Sequence, residues 1–477
     1  MNITMILEMA ASAGDRAAVT ADGRSLTASE LLTLARGAAH RFRDHSAVLY
    51  LGTSHLAYPV ALFGAAIAGV PFIPVNYRLG DEQTAAILAR HPGALVLRQA
   101  ELDILLMRTE PPAEAEEPAG QDPDSVAVVL YTSGTTAEPK AATLRHRHLL
   151  SYIWNTQEFM ATEEAEATLV AVPPYHVAGL MNLLTNLYSG RRVVYLGPFE
   201  AVAWLETVRR EGVTHALVVP TMLARIVTAV RGDDARTPTL RSLAYGGART
   251  PRTVVERALR IFPDTGFVNA YGLTETASSV TVLGPEDHRR ALAASDPAGR
   301  DRLGSVGRPL PGVEIQIRTE AGEPSDAGET GLVFLRGEQI AGEYGGRSVL
   351  DADGWFATRD RGRLDAEGYL FIEGRADDTI IRGGENIAPA EIEDVLLACP
   401  GILEAAVVGL PDPEWGQRIA AVVVGSGDPD DIRQWVKERL RSSKTPDVVV
   451  FRSELPKTDT GKLLRRTLLA ELETSHA

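Results

Sequence analysis

The sequence predicts an α/β protein with a large N-terminal domain and a small α+β C-terminal domain, and three observations support this class. Helix-like and strand-like segments alternate from residue 20 to residue 106, as in stacked α/β layers around a largely parallel sheet. Between residues 304 and 373 the chain changes to short β segments separated by Gly and Asp turns, which predicts a small β-barrel or sheet. The charged stretch 374–378 then precedes a compact tail of about 100 residues, a size typical of a separate domain.

Hydrophobic periodicity predicts the individual elements. Apolar residues at helical spacing indicate a helix over 26–42, and the Ala-rich run 58–68 indicates a buried helix. Short apolar runs indicate strands at residues 47–52, 71–75, 125–131, 169–172, 192–196, 216–219, 242–245, 266–269, 314–317, 331–335 and 369–372. The segment 108–124 is rich in Pro and Glu, which is typical of a solvated connection.

Composition narrows the class of protein. The net charge of −15 argues against a general nucleic-acid binder, whose binding surface should be basic. The single cysteine, Cys399, excludes an intrachain disulfide and fits a reducing compartment. The N-terminus shows no signal-peptide pattern, and no apolar run reaches the roughly 18 residues of a membrane span. We therefore expect a cytoplasmic protein with no membrane span.

The segment Tyr131-Thr-Ser-Gly-Thr-Thr-Ala-Glu-Pro-Lys140 has the composition of a phosphate-binding loop. It follows a predicted strand, and ligands of open α/β sheets bind where strands end. Lys140 is the only lysine before Lys437 in an otherwise arginine-rich chain, and an ammonium is a compact charge suited to polyphosphate oxygens. Hydroxyl groups and exposed backbone N–H groups would complete the cradle. The predicted phosphate ligands are Thr132, Ser133, Gly134, Thr135, Thr136 and Lys140.

Five further motifs follow in order along the chain, and with the loop they carry a resemblance to a known family. They are Pro173-Pro-Tyr-His176-Val-Ala-Gly, Tyr245-Gly-Gly-Ala248, Asn269-Ala-Tyr271-Gly-Leu-Thr274-Glu275, Trp355-Phe-Ala-Thr358-Arg-Asp360 and Pro456-Lys-Thr-Asp-Thr-Gly461-Lys462. A hinge-like segment, Gly374-Arg375-Ala-Asp377, lies between the last two. The sequence resembles the adenylate-forming superfamily of acyl-CoA synthetases, adenylation domains and luciferases, and most closely its acyl-CoA synthetase branch.

The resemblance implies a domain organisation. Residues 1–375 would form the N-terminal adenylation domain, built from two stacked α/β subdomains and a barrel-like part at about 304–373. Residues 376–378 would be a hinge, with Asp377 at the hinge position, and residues 379–477 a mobile catalytic lid.

The resemblance also implies a catalytic site for ATP and Mg²⁺. Lys462 would neutralise charge between a carboxylate and the α-phosphate, while Glu275 and Thr135 would hold magnesium. Asp360 is an acceptor-only carboxylate that suits both ribose hydroxyls. The expected catalytic residues are Lys462, Glu275, Thr135, Lys140 and His176. The remaining nucleotide contacts would be Gly247, Ala248, Asn269, Tyr271, Gly272, Thr274, Asp360 and Arg375.

The resemblance also implies which residues line the acyl pocket and which contact the acyl acceptor. The pocket would be lined by His176, Val177, Ala178, Gly246, Ala270, Gly272 and Ala277. No aspartate accompanies His176, which disfavours an α-amino acid, and the small residues leave an aryl or an alkyl monocarboxylate open. Coenzyme A would contact Gly383, Gly384, Glu385, Trp415 and Arg78, with Arg465 as a further basic candidate.

The predicted function is an ATP-dependent acid–CoA ligase that forms an acyl-AMP and releases pyrophosphate. Ala137, Arg359 and Asp447 depart from the family pattern. The last keeps an alternative open, in which the acyl group goes to a carrier-protein pantetheine or to an amine, because an aspartate cannot bind the nucleotide of coenzyme A. A non-catalytic ligand sensor is the third class, and retention of Lys140, Glu275, Asp360 and Lys462 argues against it. Monomer and homodimer both stay open.

Overall fold

The computed structural model describes residues 1–107, 122–132, 140–458 and 461–476. The predicted phosphate ligands Ser133, Gly134, Thr135 and Thr136 lie outside these residues, as does Ala137. We call residues 1–375 the body and residues 379–476 the lobe.

The helices of the described chain are α1 (Thr4–Ser12), α2 (Ala28–Phe42), α3 (Ala57–Ala68), α4 (Asp81–Ala89), α5 (Gln99–Leu105), α6 (His146–Thr156), α7 (Val177–Ser189), α8 (Ala201–Arg210), α9 (Pro220–Ala229), α10 (Arg252–Ile261), α11 (Pro285–Ala293), α12 (Pro297–Asp301), α13 (Pro389–Leu397), α14 (Pro429–Lys437) and α15 (Arg465–His476). None of the helices in the described ranges is long and apolar enough to cross a membrane.

The strands are β1 (Ala17–Ala21), β2 (Arg24–Thr27), β3 (Val48–Leu51), β4 (Phe72–Pro74), β5 (Leu95–Arg98), β6 (Val126–Thr132), β7 (Lys140–Arg145), β8 (Ala167–Val170), β9 (Arg192–Tyr195), β10 (His215–Val218), β11 (Ser242–Gly246), β12 (Gly266–Gly272), β13 (Ser279–Leu283), β14 (Arg308–Pro309), β15 (Glu314–Arg318), β16 (Gly331–Arg336), β17 (Glu343–Tyr344), β18 (Arg347–Ser348), β19 (Phe356–Leu364), β20 (Leu370–Arg375), β21 (Ile380–Arg382), β22 (Glu385–Ile387), β23 (Ile402–Asp412), β24 (Gly416–Gly425) and β25 (Val448–Arg452).

Two large sheets organise the body. The nine-stranded sheet runs β14-β13-β12-β11-β10-β8-β9-β1-β2, and the seven-stranded sheet runs β18-β17-β7-β6-β4-β3-β5. Strands β12, β11, β10, β8, β9 and β1 are parallel to their neighbours in that row. Helices α2, α3 and α7 fill the main core beside them, as predicted for stacked α/β layers.

Local sequence explains why the helices begin where they do. The Thr27 hydroxyl accepts the Glu30 backbone N–H at 3.2 Å, and the Glu30 carboxylate accepts the Thr27 N–H at 3.0 Å. This capping box satisfies two backbone donors that the helix itself leaves unpaired. Helix α3 is buried on every face, as its Ala-rich composition predicts.

Of the remaining sheets, one lies at the end of the body, before the predicted hinge, and two lie in the lobe. The segment predicted as a small barrel or sheet is a four-stranded antiparallel sheet, β15-β16-β19-β20. The lobe has the hairpin β21-β22 and the three-stranded sheet β23-β24-β25, with its own apolar cores around Ile392 and Val407 and around Val422 and Leu468. The domain boundary at 376–378 stays a prediction; a short 3₁₀ turn, Ala376–Asp378, lies there.

Candidate active site

One cavity of about 2400 Å³ lies between the body and the lobe. Parallel strands β10, β11 and β12 end at it, and register fixes their order, with Gly246 opposite Ala270. Most of the predicted site residues in the described chain line this cavity: Thr132, Lys140, His176, Val177, Ala178, Gly246, Gly247, Ala248, Asn269, Ala270, Tyr271, Gly272, Thr274, Glu275, Asp360, Arg375, Asp377 and Lys462.

Asp360 is the centre of a hydrogen-bonded group on the body side. It is buried, and its Oδ2 accepts the Tyr271 hydroxyl at 2.6 Å. Its Oδ1 accepts the Arg375 guanidinium at 3.0 Å, since Asp360 and Arg375 are paired across β19 and β20. Arg375 also donates to the Thr358 carbonyl at 2.7 Å. The carboxylate is therefore held in one orientation at the edge of the cavity.

The charges in this group support one another. Burial opposes the charge of Arg375, but the Asp360 carboxylate outweighs it and raises the pKa of the guanidinium. Burial, and then Asp360, raise the pKa of Tyr271 well above its ordinary value. Tyr271 therefore stays a neutral hydrogen-bond donor to Asp360 at neutral pH.

Lys462 reaches the same cavity from the lobe. It follows a turn in which the Thr458 hydroxyl accepts the Lys462 backbone N–H at 3.0 Å. The Lys462 side chain is exposed to the cavity but is surrounded by protein. Burial by that protein, and then the nearby Arg375 charge, lower the pKa of Lys462. The carboxylates of Asp360 and Glu275 act in the opposite direction, which places the ammonium among the predicted ribose and magnesium groups.

Lobe and body touch closely next to this lysine. Gly461 has a φ of +78°, and a Cβ atom there would lie 2.2 Å from the Thr221 Cγ2 at the start of α9. Only glycine fits both this backbone conformation and this approach. On another edge, Arg249 of the body forms an ion pair with Asp394 of the lobe.

Tyr344 lies between Glu275 and Lys140 and contacts both. The Tyr344 hydroxyl donates to one carboxylate oxygen of Glu275, and the Lys140 ammonium lies 5.5 Å from the Tyr344 ring centroid. Burial, and then Glu275, raise the pKa of Tyr344, which keeps it a donor. Tyr344 was not predicted from the sequence. No motif marks it, because it reaches the site through the pairing of β17 with β7.

The arrangement around Glu275 fits a magnesium ion that arrives with a nucleotide. Its second carboxylate oxygen accepts no hydrogen bond from the described residues. Within the described ranges there is also no cluster of three or more His, Cys, Asp or Glu able to hold a metal. Magnesium keeps several waters and is often held by one or two carboxylates plus substrate phosphates, and a single buried carboxylate meets that requirement.

His176 marks the entrance to the predicted acyl pocket. It is the residue before α7, and its ring lies 4.5 Å from that of Tyr175. Val177 and Ala178 begin the helix and line the cavity with it. Gly246 lies where a Cβ would be 2.1 Å from the Ala270 carbonyl oxygen, so the two strands can meet only with glycine at this position.

Ala277 is a wrong prediction as a pocket residue. It is fully buried in the body core and does not line the cavity. The physical reason is its left-handed conformation, with φ of +58°, which ends the 3₁₀ turn Thr274–Thr276 and turns the methyl group into the core.

The residues predicted to contact coenzyme A are not brought to the cavity. Gly383, Gly384, Glu385 and Trp415 lie together on the lobe, where a Cβ on Gly383 would be 3.1 Å from the Trp415 ring. Arg78 is stacked on Tyr77, 5.6 Å from the ring centroid.

Two charged lobe residues have structural partners. Arg465 donates to Glu393 at 2.6 Å and to the Val407 carbonyl at 2.7 Å, and its contact with coenzyme A stays a prediction. Asp447 accepts Arg382 at 2.7 Å and the Ile419 backbone N–H at 2.7 Å. This aspartate therefore ties β21 to β24.

Arg359, another departure from the family pattern, adopts a φ of +63°. The left-handed conformation favours glycine, which explains the residue common at this position in the family. The Arg359 guanidinium lies 3.9 Å from the Asp377 carboxylate, so it links β19 to the predicted hinge.

The AMP-binding enzyme family matches residues 7–345, and the AMP-binding enzyme C-terminal domain matches residues 391–462. The chain belongs to the AMP-binding enzyme family. This membership confirms the predicted resemblance to adenylate-forming enzymes and the predicted α/β fold with a large N-terminal and a small C-terminal part.

Relatives of this AMP-binding chain span nearly its whole length. Feruloyl-CoA synthase from Amycolatopsis sp is 35% identical over 480 residues, which cover 94% of each chain. Fatty acid–[acyl-carrier-protein] ligase ScoC from Streptomyces coeruleorubidus is 32% identical over 492 residues, covering 94% of this chain and 92% of the relative.

A solved structure from Bacillus subtilis has the same fold. The o-succinylbenzoate CoA synthetase (MenE), in complex with the acyl-adenylate intermediate OSB-AMP, matches with a TM-score of 0.84 and 27% identity over 97% of each chain. In complex with ATP and magnesium ion, that enzyme matches with a TM-score of 0.81 and 27% identity, over 97% of this chain and 98% of the other.

Proposed function

We propose that this protein is an ATP-dependent acid–CoA ligase that activates a monocarboxylic acid as an acyl-AMP and passes the acyl group to the thiol of coenzyme A. One observation carries the proposal. Asp360 with Arg375, the carboxylate of Glu275 and the ammonium of Lys462 all face one cavity, whose other end is lined by α7. The relatives named as CoA synthetases, and the MenE complexes with an acyl-adenylate and with ATP and magnesium, support the same reading.

The first half-reaction meets an electrostatic barrier. A carboxylate oxygen attacks the α-phosphorus of ATP, the bond to the bridging oxygen breaks, and pyrophosphate leaves with its electron pair. Lys462 would hold the carboxylate and the α-phosphate together by offsetting their repulsion. Asp360 would fix the nucleotide by accepting ribose hydroxyls, and Arg375 would hold Asp360 in place.

Glu275 is the residue we assign to magnesium, with Thr135 as the second predicted ligand. The bound ion would supply positive charge at the phosphates during nucleotide binding. Tyr344 would orient the Glu275 carboxylate, and Lys140 would add an ammonium on the phosphate side.

The second half-reaction needs a different arrangement of the lobe. A thiolate attacks the acyl carbonyl carbon, and AMP leaves with the electrons of the mixed-anhydride bond. Gly383, Gly384 and Trp415 lie away from the cavity while Lys462 lies in it, which supports a lobe rotation about Asp377 between the two steps. Domain limits of 1–375, 376–378 and 379–477 are part of this proposal.

A carrier-protein pantetheine is the second candidate acceptor, and an amine the third. The relative named as a fatty acid–[acyl-carrier-protein] ligase supports the carrier. The lobe also supports the carrier, because the Asp447 carboxylate, bonded to Arg382, cannot neutralise the phosphates of the coenzyme A nucleotide, and the Arg465 guanidinium is bonded to Glu393.

A panel of carboxylic acids, with pyrophosphate release and thioester formation both measured, tests the proposal. We expect at least one acid to release pyrophosphate from ATP and magnesium, and the addition of coenzyme A to give a thioester. Pyrophosphate release without a thioester would favour the carrier or the amine. No pyrophosphate release with any acid would contradict acid activation.

A further inference from the structure

At the end of the cavity where the acyl group is proposed to bind, polar residues line the floor, which we call the polar base. Apolar residues line the part between this floor and the nucleotide end. Strands β8, β10 and β11 place Thr168, His215 and Ser242 side by side in one register row, and all three line the cavity. Two residues further along β10 and β11, the cavity is lined by Leu217 and Ala244.

The depth of this base follows from strand geometry. Along β11, Gly246 lies four residues beyond Ser242, and parallel strands rise about 3.3 Å per residue, which gives roughly 13 Å. Gly246 is at the nucleotide end. The base is therefore far enough from the reacting carboxylate to meet the distal end of an acid, and not its carboxyl group.

His215 presents a hydrogen-bond acceptor to the cavity. The Thr214 hydroxyl donates to the Ala167 carbonyl at 3.0 Å and so has no second proton for the His215 Nδ1, which lies 2.9 Å away. We assign the proton to His215 Nδ1, because the Thr214 hydroxyl can accept it and the Glu166 carboxylate lies 3.7 Å from the same nitrogen, and Nε2 then carries the lone pair. Burial, and then the Arg191 charge, lower the pKa of His215 to about 4, so the ring is neutral at neutral pH.

Asn182 on α7 presents the complementary donor. Its Oδ1 accepts the Asn186 amide at 3.1 Å and the Thr168 hydroxyl at 3.4 Å, which fixes the orientation of the amide. Its NH₂ group donates to none of the residues in the described chain, although Asn182 lines the cavity. Since Thr168 is the register partner of His215, the donor and the acceptor lie above neighbouring strands.

We propose that this polar base selects an acid whose apolar body ends in a hydroxyl group, donating to His215 Nε2 and accepting from Asn182. The proposal deepens the proposed acid-activating function and rests on it. A site built to bond a hydroxyl discriminates against the analogue that lacks it, because polar groups that an apolar ligand covers are left unpaired. The same two residues would not favour a fully apolar acid of equal length.

Matched pairs of acids test the selection. The pairs are 3-phenylpropanoate with 3-(4-hydroxyphenyl)propanoate, and octanoate with 8-hydroxyoctanoate. We expect the hydroxylated member of at least one pair to have a kcat/KM for pyrophosphate release about 10- to 100-fold higher. His215→Phe and Asn182→Leu should each remove most of that ratio. Thr185→Val is the matched control and should leave the ratio unchanged, because the Thr185 hydroxyl already donates to the Met181 carbonyl at 2.7 Å.

Binding gives a readout that does not depend on turnover. The dissociation constants of the corresponding acyl-sulfamoyl adenosines, measured by calorimetry, should show the same preference and the same loss in both variants, with AMP affinity retained as the check on folding. Equal affinity within both pairs, or a preference for the unsubstituted acids, would overturn the selection while leaving acid activation intact. Failure of every analogue and of AMP to bind would overturn both proposals.

Discussion

On the body side of the cavity the functional groups hold each other in place, whereas on the lobe side Lys462 depends on one turn and on contacts with the body. Asp360 is buried and bonded to Tyr271 and Arg375. The Arg249–Asp394 pair between body and lobe, by contrast, has both side chains about half exposed, at 48% and 50%. Exposed pairs contribute little, commonly 0–1 kcal/mol. The predicted nucleotide side is therefore preorganised, whereas the lobe, which carries the proposed catalytic cation, gains little attachment to the body from this pair.

Removing the lobe cation should have the largest effect. We expect Lys462→Ala to lower kcat/KM for pyrophosphate release by about 10²- to 10³-fold, the usual loss when one group that stabilises transition-state charge is removed. Thioester formation from supplied acyl-AMP should be spared, because the bond between the carboxylate and the α-phosphorus, which Lys462 is proposed to help form, already exists in that substrate. Lys457→Ala is the control, since Lys457 pairs with Glu404 on the lobe at 2.6 Å. Equal loss of both half-reactions would contradict the assignment of Lys462.

A body-side change should weaken both nucleotide binding and folding. Asp360→Asn removes the charge that compensates Arg375, and we expect the KM for ATP to rise about 10- to 100-fold and the free energy of unfolding to fall by about 1–3 kcal/mol. The measurements are steady-state kinetics and urea unfolding. Asp353→Asn, in the exposed turn before β19, should change neither quantity. If the variant weakened ATP binding without loss of stability, the body side would not be preorganised in the way described.

The dependence of kcat/KM on pH should distinguish the lysine of the lobe from the groups on the body side of the cavity. In the proposed mechanism adenylation requires the Lys462 ammonium, and the pKa of this group is lowered from the ordinary 10.5. The proton is thus lost as pH rises through a value below that of free lysine, and kcat/KM should fall there on the alkaline side. Lys462→Arg should move this limb to higher pH, since arginine stays protonated. An unshifted limb in the arginine variant would assign the titration to another group.

The smallest effect on adenylation is expected at the ion pair between the body and the lobe. Arg249→Ala and Asp394→Ala, alone and together, should give a coupling free energy of about 0.2–1 kcal/mol in a double-mutant cycle on adenylation. The coupling should shrink as salt is raised, because exposed charges are screened. A coupling of several kcal/mol that resists salt would mean that the lobe is fastened and not loosely held.

The parts of the site predicted from sequence are those carried by contiguous motifs. Asp360, Glu275 and Lys462 each stand in a contiguous motif that resembles one of the adenylate-forming superfamily, and that resemblance is what singled them out. Their convergence on one cavity follows from parallel strands ending at the same edge.

The parts that sequence did not give depend on register and backbone conformation. Tyr344 reaches Glu275 only because β17 pairs with β7. Asn182, which accepts the Thr168 hydroxyl, comes above the strand next to that of His215 only through the alignment of β8 with β10. Ala277 was wrongly placed in the pocket because one left-handed residue reverses the direction of a side chain. Such facts are properties of the folded chain, and spacing along the sequence does not contain them.

The close approach of Gly461 to Thr221 sets a tolerance for the whole reaction cycle. Because even one added carbon at position 461 would collide with the threonine methyl group, the lysine is delivered only when the two surfaces seat completely. A side chain at position 461 would therefore push the turn that carries Lys462 away from α9, and with it the ammonium from Asp360 and Glu275.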